Sequence, residues 1–344
     1  MYGWLRRGLF ALPPETAHEV ALCSLRLAAP LGLGRLLGPP PPSLPVHCLG
    51  LDFPNPVGLA AGLDKNGDYI DAMGRLGFGF IEVGTVTPAP QPGNPKPRMF
   101  RISEHEALIN RLGFNNKGVD HLVERLRARR FKGPVGANIG KQKETPVSEA
   151  PGDYRHCLER VHAHCDYVTV NISSPNTANL RELQDTGPLS ELLSEIRHCR
   201  ARLEREQGQR RPLLVKIAPD WDDEALDRSL AVIADSGVDG LIATNTSIDH
   251  EPVAGTPYAD EAGGLSGAPI RPRADHVLER ARQALGPDFP IIGLGGITRG
   301  ADAAEKRRLG ADLVQLYTGF IYHGPALVSD CVRAMAAMAR SRKQ

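Results

Sequence analysis

Lys216 is the residue whose type and setting point most directly to chemistry, because it interrupts the apolar run LLVKIA at 213–218. A lysine inside a buried strand needs a partner charge or a neutral amine. Two functional roles fit such a lysine: a Schiff-base nucleophile, or a fixed positive charge against an electron-rich ring. A structural ion pair is the third interpretation.

Glycine-containing segments end two later apolar runs, GLGGI at 293–297 and YTG at 317–319. Gly295 and Gly296 allow a backbone to approach an anion closely, so that its N–H groups can bind a phosphate. Glycines at strand ends also relieve crowding, and GLGGI taken alone decides little. The two segments together favour a phosphate-bearing cofactor, beside which Lys216 is better explained as a charge next to a reduced flavin.

Six polar residues end apolar runs or lie in the long segments that follow them: Asn110, Asn138, Asn171, Asn176, Thr244 and Asn245. Any one asparagine in a loop is normally a turn former. A carboxamide offers a donor and an acceptor side by side, so several together match a ring with lactam N–H and C=O edges. Lys65 and the backbone of 111–114 suit a substrate carboxylate, although a solvated lysine is the simpler interpretation.

The segment NISSPN at 171–176 places Ser173 and Ser174 directly before a proline. A turn closed by a hydroxyl is the ordinary role of such serines. No GxSxG motif surrounds them, and no order of Asp and His suggests a triad, which argues against acyl transfer. A role as a base remains.

Eight short apolar, β-branched runs after residue 55 are predicted to be strands. They are VGLAAGL (57–63), FIEVGTV (80–86), VGANIG (135–140), YVTVNIS (167–173), LLVKIA (213–218), GLIATNT (240–246), IIGLGGI (291–297) and LVQLYTG (313–319). Helix-like segments between them include 118–130, 153–164, 189–206, 223–236 and 274–285. This alternation indicates a parallel sheet buried on both faces, and eight repeats close a (β/α)8 TIM barrel of the α/β class. An open doubly wound sheet is the alternative, but most of the strands end in polar residues or glycine, which favours the barrel.

The active site of such a barrel is built from the connections that follow the strands. Three of these are long, at 87–116, 174–188 and 247–273, and we expect lids or binding loops there.

Composition excludes several classes of function. The 41 Lys and Arg balance 40 Asp and Glu, so no net basic field attracts nucleic acid. Six cysteines without a CxxC spacing argue against zinc and disulfides and favour a reducing, cytosolic compartment. His162 and His164 face different ways on a helix, so no metal site is predicted. No apolar run reaches the roughly 20 residues that span a bilayer.

Residues 1–44 are predicted to be a separate helical extension, followed by the barrel at 45–344. A helix can begin at Pro13 and Pro14, and the segment after it is apolar over a broad face from Ala17 to Leu37. The prolines at 39–42 act as a stiff spacer. The extension is either a cap against the barrel's side or a module that dips into a membrane surface.

The ordered motifs resemble the class 2 dihydroorotate dehydrogenases. They are NPVGLAAGLDK, IEVGTVTPAPQPGNPKPRMFR, INRLGFNN, NISSPNT, VKIAPD, ATNT, GGLSG, IIGLGGI and LVQLYTGFI, which span residues 55–321. The soluble class 1 branch carries cysteine where this chain has Ser174 and lacks the N-terminal extension. The resemblance therefore implies a membrane-associated, quinone-linked enzyme that oxidises dihydroorotate to orotate in pyrimidine biosynthesis.

The resemblance also implies roles for individual residues. FMN contacts, one cofactor per chain, are expected at Ala61, Gly62, Leu63, Asp64, Lys65, Thr85, Asn138, Asn171, Lys216, Thr244, Gly267, Gly296, Tyr317 and Thr318. Substrate contacts are expected at Lys65, Asn110, Arg111, Leu112, Gly113, Phe114, Asn171, Asn176, Asn245 and Thr246. Quinone contacts are expected at His18, Arg101 and Tyr317. Thr318 departs mildly from the family, where serine is common, but a backbone contact survives that change.

The implied chemistry is that Ser174 removes a proton from C5 of dihydroorotate while C6 delivers a hydride to flavin, with Thr177 and a water as the proton relay. The expected setting is a monomer at the cytoplasmic side of the cell membrane, with quinone as partner and no nucleic acid. Three other functions stay open on residues alone: a Lys216 Schiff-base aldolase, a tRNA-dihydrouridine synthase type of enzyme, and a non-catalytic binding module. The second would need a catalytic cysteine and a basic extension.

Overall fold

Eight parallel strands close into a barrel in the computed structural model, which describes residues 2–28, 32, 37–177 and 180–341. Within these residues the strands are, in chain order, β1 (Val46–Cys48), β2 (Leu51–Phe53), β3 (Val57–Leu59), β4 (Phe80–Val86), β5 (Met99–Ile102), β6 (Ala107–Asn110), β7 (Val135–Ile139), β8 (Tyr167–Asn171), β9 (Leu213–Ile217), β10 (Gly240–Ala243), β11 (Gly264–Gly267), β12 (Ile291–Leu294) and β13 (Leu313–Leu316). The barrel order is β10, β12, β13, β3, β4, β7, β8 and β9, and β9 pairs with β10 to close it. The prediction of a TIM barrel is confirmed.

Helices follow the barrel strands along the chain. The helices of the described residues are α1 (Tyr2–Phe10), α2 (Pro14–Ala28), α3 (Ile70–Gly74), α4 (Val119–Ala128), α5 (Ala150–Val161), α6 (Thr186–Gln207), α7 (Asp223–Asp235), α8 (Arg271–Leu285), α9 (Gly300–Arg308), α10 (Thr318–His323) and α11 (Ala326–Ser341). Local signals set their ends: the Asp222 side chain accepts a hydrogen bond from the Ala225 N–H at the start of α7, and α6 stops at Gly208 with φ 67°.

The barrel interior is layered, because inward-facing side chains alternate along each strand. The lower layer is apolar and includes Phe80, Tyr167, Leu214 and Leu313. Two residues farther toward the strand C-termini, the same strands carry polar or charged side chains, namely Glu82 on β4, Thr169 on β8, Lys216 on β9 and Gln315 on β13. The polar and charged side chains of these strands therefore lie in the upper half of the barrel.

The predicted strands are correct in place, but seven of the eight extend beyond the observed strand, four of them by three or four residues. β3, β10, β12 and β13 stop three or four residues before the runs read from the sequence. The residues left over, such as 244–246 and 295–297, leave the hydrogen-bond ladder and turn into the mouth of the barrel. Their glycines and small polar side chains suit turns better than a continued strand.

Two of the long connections are more ordered than loops. β5 and β6 form a hairpin within 87–116, and β11, from 247–273, pairs with β6 in an antiparallel three-stranded sheet. The third connection holds a 3-10 turn at Leu180–Gln184, while residues 178 and 179 lie outside the described part. The extra sheet ties two connections together over the barrel mouth.

The N-terminal extension forms two helices, of which only α2 was predicted. α2 starts at Pro14, as predicted. α1 lies before it in the chain and was not predicted. The far end of the predicted apolar face, residues 29–31 and 33–36, lies outside the described residues. The Tyr2 hydroxyl donates to the Ile321 carbonyl at 2.6 Å, so α1 is anchored on α10. In the described part of the chain, no helix is both long enough and apolar enough to cross a membrane.

Candidate active site

A cavity of about 970 Å³, counting its open mouth, lies where the barrel strands end. Its size falls in the range of about 300–1,000 Å³ that is usual for ligand sites. Most of the residues predicted to contact FMN or the substrate line this cavity. They are Ala61, Gly62, Lys65, Thr85, Asn110, Leu112, Gly113, Phe114, Asn171, Ser174, Asn176, Lys216, Thr244, Asn245, Thr246, Gly267, Gly296, Tyr317 and Thr318. The barrel thus brings residues that lie far apart in the sequence together in one cavity, called the polar cavity from here on.

Hydrogen-bonded amides form the wall of the polar cavity on the side of β4, β7 and β8. Asn171 Nδ2 donates to Thr85 Oγ1 at 2.9 Å and to Asn138 Oδ1 at 3.2 Å. Thr85 Oγ1 in turn donates to Asn138 Oδ1 at 2.5 Å. Asn245 Nδ2 reaches Ser173 Oγ at 3.0 Å, which connects β10 to the same network. Such a network holds each amide in one orientation.

One end of the polar cavity is suited to an anion. Gly295 and Gly296 have φ of 105° and 78°, and a Cβ on Gly296 would lie 2.2 Å from Cβ of Arg271. Only glycine therefore fits there. The N–H groups of both glycines, and those of Thr318 and Gly319 at the start of α10, have no hydrogen-bond partner among the described residues. Several unpaired N–H groups at one place form a phosphate-binding surface.

A second set of free N–H groups belongs to the segment that follows β6. The N–H groups of Leu112, Gly113 and Phe114 have no partner in the described part of the chain, and Phe114 takes a left-handed φ of 53°. The carbonyls of 111–114 accept hydrogen bonds from behind, from the Asn94 backbone N–H and from the side chains of Gln91, Asn94 and Asn116. The segment is held with its donors free, an arrangement that suits a carboxylate.

Ser174 lies in the polar cavity and is buried. Its Oγ accepts from the Asn176 N–H at 3.3 Å. Nearby in the sequence, the buried Thr177 Oγ1 has no partner among the described residues. If the Ser174 hydroxyl takes up a proton without an adjacent base, it must pass a proton on, and the unpaired Thr177 hydroxyl is a candidate acceptor.

Lys65 lies between the polar cavity and the N-terminal helices. Burial lowers the pKa of Lys65 to about 8, with Glu15 opposing and Arg98 reinforcing that shift. Burial, and then Lys65, lower the pKa of His18 on α2 to about 4, so this imidazole is neutral. Glu15 also pairs with Arg98, with Nη2 and Oε1 2.7 Å apart.

A second cavity, almost entirely apolar, lies between α1, α2 and the barrel. It measures about 1540 Å³ including its opening and is lined by leucines of both helices together with Met73, Met99, Phe320 and Ile321. His18 and Arg101 line it, whereas Tyr317, the third predicted quinone contact, lines the polar cavity. Arg101 lies 4.0 Å from the centre of the Phe10 ring, and burial lowers its pKa.

Of the residues predicted to contact FMN or the substrate, four lie outside the polar cavity. Leu63 lines the apolar cavity, and the Asp64 carboxylate accepts from the N–H groups of Asp68 and Tyr69 at 3.0 and 2.8 Å. Asn138 lies one layer lower, behind Thr85. Arg111 pairs with Glu261, with Nη1 and Oε2 2.5 Å apart.

The chain was compared with known proteins. The family model for dihydroorotate dehydrogenase matches residues 43–338. The chain belongs to the dihydroorotate dehydrogenase family. It is 55% identical over 340 residues to dihydroorotate dehydrogenase (quinone) of Pseudomonas paraeruginosa (strain DSM 24068 / PA7), covering 99% of both chains. It is 56% identical to the protein of the same name from Stutzerimonas stutzeri (strain A1501) over 343 residues, which covers 100% of each chain.

Solved structures agree with this assignment. The crystal structure of DHODH from Eimeria tenella in complex with ferulenol matches with a TM-score of 0.86 and 37% identity, covering 96% of this chain and 92% of that one. The ligand-free form of the same enzyme also matches with a TM-score of 0.86, covering 96% of both chains. The resemblance to quinone-linked dihydroorotate dehydrogenases is confirmed.

FMN is the cofactor of this family, and the polar cavity fits it. Lys216 is buried inside the barrel and makes no hydrogen bond or ion pair to any described residue, so its amine is available to a ligand. The free N–H groups near Gly296 and Thr318 supply donors for a phosphate. Sequence reasoning missed two polar residues of this site: Ser266, which is bonded to Thr318 Oγ1 at 2.8 Å, and Gln315. A polar residue inside an apolar strand run, as in LVQLY, was the available signal for Gln315.

Proposed function

We propose that the chain oxidises (S)-dihydroorotate to orotate with the site residues described above, and that quinone is reached through the apolar cavity. The family assignment carries the reaction itself: the chain is an oxidoreductase of pyrimidine biosynthesis, with FMN as cofactor and quinone as final acceptor. The observation that carries the assignment of residues is that Ser174, Lys65, the free amides of 112–114 and Lys216 all line one cavity.

Ser174 is the proposed catalytic base. Its buried Oγ has no charged neighbour among its hydrogen-bond partners, so the proton that it takes from C5 must move on. Thr177 is the proposed next acceptor, since its Oγ1 is buried and unpaired within the described residues. A water between the two hydroxyls would complete the relay.

Substrate orientation is assigned to the donors around Ser174. The N–H groups of 112–114 and the ammonium of Lys65 bind the carboxylate of the substrate. Asn110 and Asn176, joined by a bond of 3.2 Å from Asn176 Nδ2 to Asn110 Oδ1, and the amides of Asn171 and Asn245 present donors and acceptors to the ring. Thr246 completes this set, because its buried Oγ1 lacks a partner in the described part of the chain.

FMN binding is assigned to the upper layer of the barrel. When bound, FMN accepts the hydride from C6 of the substrate and delivers electrons to quinone. Lys216 supplies a fixed positive charge, and Gly296 and Thr318 supply amides for the phosphate. Asn138 acts from behind by orienting Thr85 and Asn171, and Leu63 and Asp64 shape the turn after β3.

The extension at 1–44 is the proposed quinone and membrane module, and 45–344 is the catalytic domain. Large apolar side chains are exposed on α1 and α2, with Trp4 at 77% and Leu27 at 74% exposure. Arginines flank them, as at Arg6 and Arg7, which suits an amphipathic helix lying in a membrane surface. His18 and Arg101 are the polar groups proposed to contact quinone.

The chain is further proposed to be a monomer at the cytoplasmic side of the cell membrane. All six cysteines are free, which fits a reducing compartment. Light scattering of the detergent-solubilised protein should give a protein mass near 37.2 kDa.

Anaerobic rapid mixing tests the proposed function. The purified protein should be yellow with about one FMN per chain, dihydroorotate should bleach it, and a long-chain quinone should restore the colour. Protein that is colourless yet active with dihydroorotate and quinone would contradict the assignment of the polar cavity to FMN.

A further inference from the structure

Glu82 is a fully buried carboxylate inside the barrel that the proposed reaction does not use. It lies on β4, in the same layer as Lys216 and Gln315, but does not itself line the polar cavity. Three side chains donate to it: Asn138 Nδ2 at 2.8 Å, Gln315 Nε2 at 2.8 Å and the Tyr167 hydroxyl at 3.1 Å. Burial and the Glu82 carboxylate raise the pKa of Tyr167 well above its usual range, so this phenol keeps its proton and remains a donor.

The charge of Glu82 decides how the amides around it are oriented. A carboxylate only accepts hydrogen bonds, so Asn138 must turn its NH2 group down and its carbonyl oxygen up. That oxygen receives the bonds from Thr85 and Asn171 at 2.5 and 3.2 Å. The orientation is thereby passed from the barrel interior to the wall of the polar cavity.

The same constraint applies to Gln315 on β13. Its NH2 group is committed to Glu82, so its Oε1 points away, and this buried atom has no partner among the described residues. Gln315 lines the polar cavity. A fixed acceptor is therefore presented to whatever binds there.

Glu82 is also the charge that acts on Lys216. Burial lowers the pKa of Lys216, and Glu82 opposes that shift. From the neighbouring strands Lys216 is faced by uncharged residues, Asn171 on β8 and Ile242 on β10, which are its register partners. Within the described residues, Glu82 is thus the only counter-charge of this amine.

We propose that Glu82 is a positioning residue of the FMN site: its carboxylate is the counter-charge of Lys216 in the barrel interior and fixes the direction in which Asn138 and Gln315 present their amides. The proposal rests on FMN being bound in the polar cavity, as in the proposed function. Glu82 itself does not contact the substrate or the cofactor. It acts through residues that do.

The reduction equilibrium of bound FMN, measured with redox dyes and without dihydroorotate, tests this role. Removing the charge of Glu82 leaves the effect of burial unopposed, so the pKa of Lys216 should be lower in Glu82→Gln than in the parent. In Glu82→Gln, the amine should lose its proton as pH rises, so the fraction of reduced flavin at a fixed dye ratio should fall by up to about tenfold per pH unit relative to the parent. The steeper pH dependence should vanish in Glu82→Gln/Lys216→Met, which has no amine to titrate.

Tyr167→Phe is the matched control, because it removes one neutral donor to Glu82 and leaves the charge in place. Its dye titration should follow the parent at every pH. If Glu82→Gln also follows the parent, or if its flavin becomes easier to reduce at all pH values, Glu82 does not act through Lys216 and the proposal is wrong. Failure of the parent to be bleached by dihydroorotate would instead contradict the proposed function, and the dye titration would still be interpretable.

If Glu82→Gln loses its flavin, the dye titration cannot be made. Urea unfolding of the full chain then tests the proposal instead. Lys216 and Glu82 make no direct ion pair, but they are two buried groups of opposite charge, so removing one leaves the other uncompensated, whereas replacing both is often tolerated. Glu82→Gln and Lys216→Met should each destabilise the chain, and the double variant should be more stable than the sum of the two effects predicts. Additive effects would overturn the proposal.

Discussion

The two cavities of this chain differ in what holds them in place. The polar cavity is built from strand ends and from amides that are bonded to each other, as Asn171 is to Thr85. The apolar cavity is formed by packing α1 and α2 on the barrel, and few polar groups line it. Proton transfer needs fixed donors and acceptors, whereas a long isoprenoid chain needs only apolar surface. The difference divides the molecule into a part held by hydrogen bonds, where substrate chemistry is proposed, and a part held by apolar packing, where quinone entry is proposed.

The two cavities nevertheless meet at one set of contacts. Glu15 of α2 pairs with Arg98, whose Nη1 donates to the carbonyls of Pro92 and Asn94 at 2.6 and 2.9 Å. The Asn94 side chain then donates to the carbonyl of Asn176 at 3.2 Å, in the loop that carries Ser174. The extension therefore touches the support of the substrate site.

The largest effect is expected from Ser174→Ala, which acts on the polar cavity alone. Losing a positioned base should slow flavin reduction by dihydroorotate by about 100-fold or more, while orotate binding is largely kept. Ser174→Cys should retain some activity, because a thiolate can serve as a base. Anaerobic rapid mixing measures both, and a trace for Ser174→Ala that overlays the parent would assign the base to another residue.

Removal of residues 1–44 acts on the apolar cavity. FMN should stay bound and the maximal rate of flavin reduction should stay near the parent value, because the assigned groups of that half-reaction start at Ala61. Reoxidation by a long-chain quinone in liposomes should fall by about tenfold or more, given about 1.5–3 kcal/mol for each large apolar side chain that no longer enters the membrane.

A small soluble dye is the control acceptor for the truncated chain and should still reoxidise the flavin. Vesicle flotation should show that attachment is lost. If the truncated chain is insoluble or loses FMN, the extension is a structural cap and the quinone entrance is elsewhere.

The contrast between the cavities also explains what the sequence could predict. Asn171, Ser174, Lys216 and Gly296 stand out because each is polar or glycine at the end of or inside an apolar run, so strand prediction alone brings them together. The leucines of the apolar cavity carry no such signal, since any amphipathic helix has them. Helix α1 and the sheet of β5, β6 and β11 depend on contacts between residues far apart in sequence, which local patterns do not encode. Glu82 interrupts the apolar run FIEVGTV as Lys216 interrupts LLVKIA, but its role depends on the side chains that other strands bring to it.

The pH dependence of substrate binding is expected to report on Lys65, at the boundary of the two cavities. The pKa of Lys65 is lowered to about 8, so its positive charge is present below that pH and is lost as pH rises through it. Affinity for dihydroorotate should therefore fall by up to about tenfold per pH unit above that value. Equilibrium titration with orotate measures this, and Lys65→Met should bind weakly with no such decline.

The smallest effect is expected from Glu15→Gln, which weakens the contact between the cavities without changing a residue that lines either one. Arg98 would lose its carboxylate but keep its bonds to the carbonyls of Pro92 and Asn94, so the loop that supports Asn176 should loosen without collapsing. A hydrogen bond to a charged group contributes about 1.5–3 kcal/mol, but the Gln oxygen can still accept from Arg98 and Glu15 is partly exposed, so only part of this is lost and the expected loss of affinity is a few-fold. Substrate affinity should therefore fall a few-fold while the maximal rate of flavin reduction is kept.

Glu19→Gln, exposed on the same helix, is the matched control and should leave affinity unchanged. If the parent, Glu15→Gln and the chain without residues 1–44 bind the substrate with equal affinity, the two cavities are independent. If both altered chains lose affinity by the same few-fold factor, the coupling between the cavities depends on the Glu15 carboxylate.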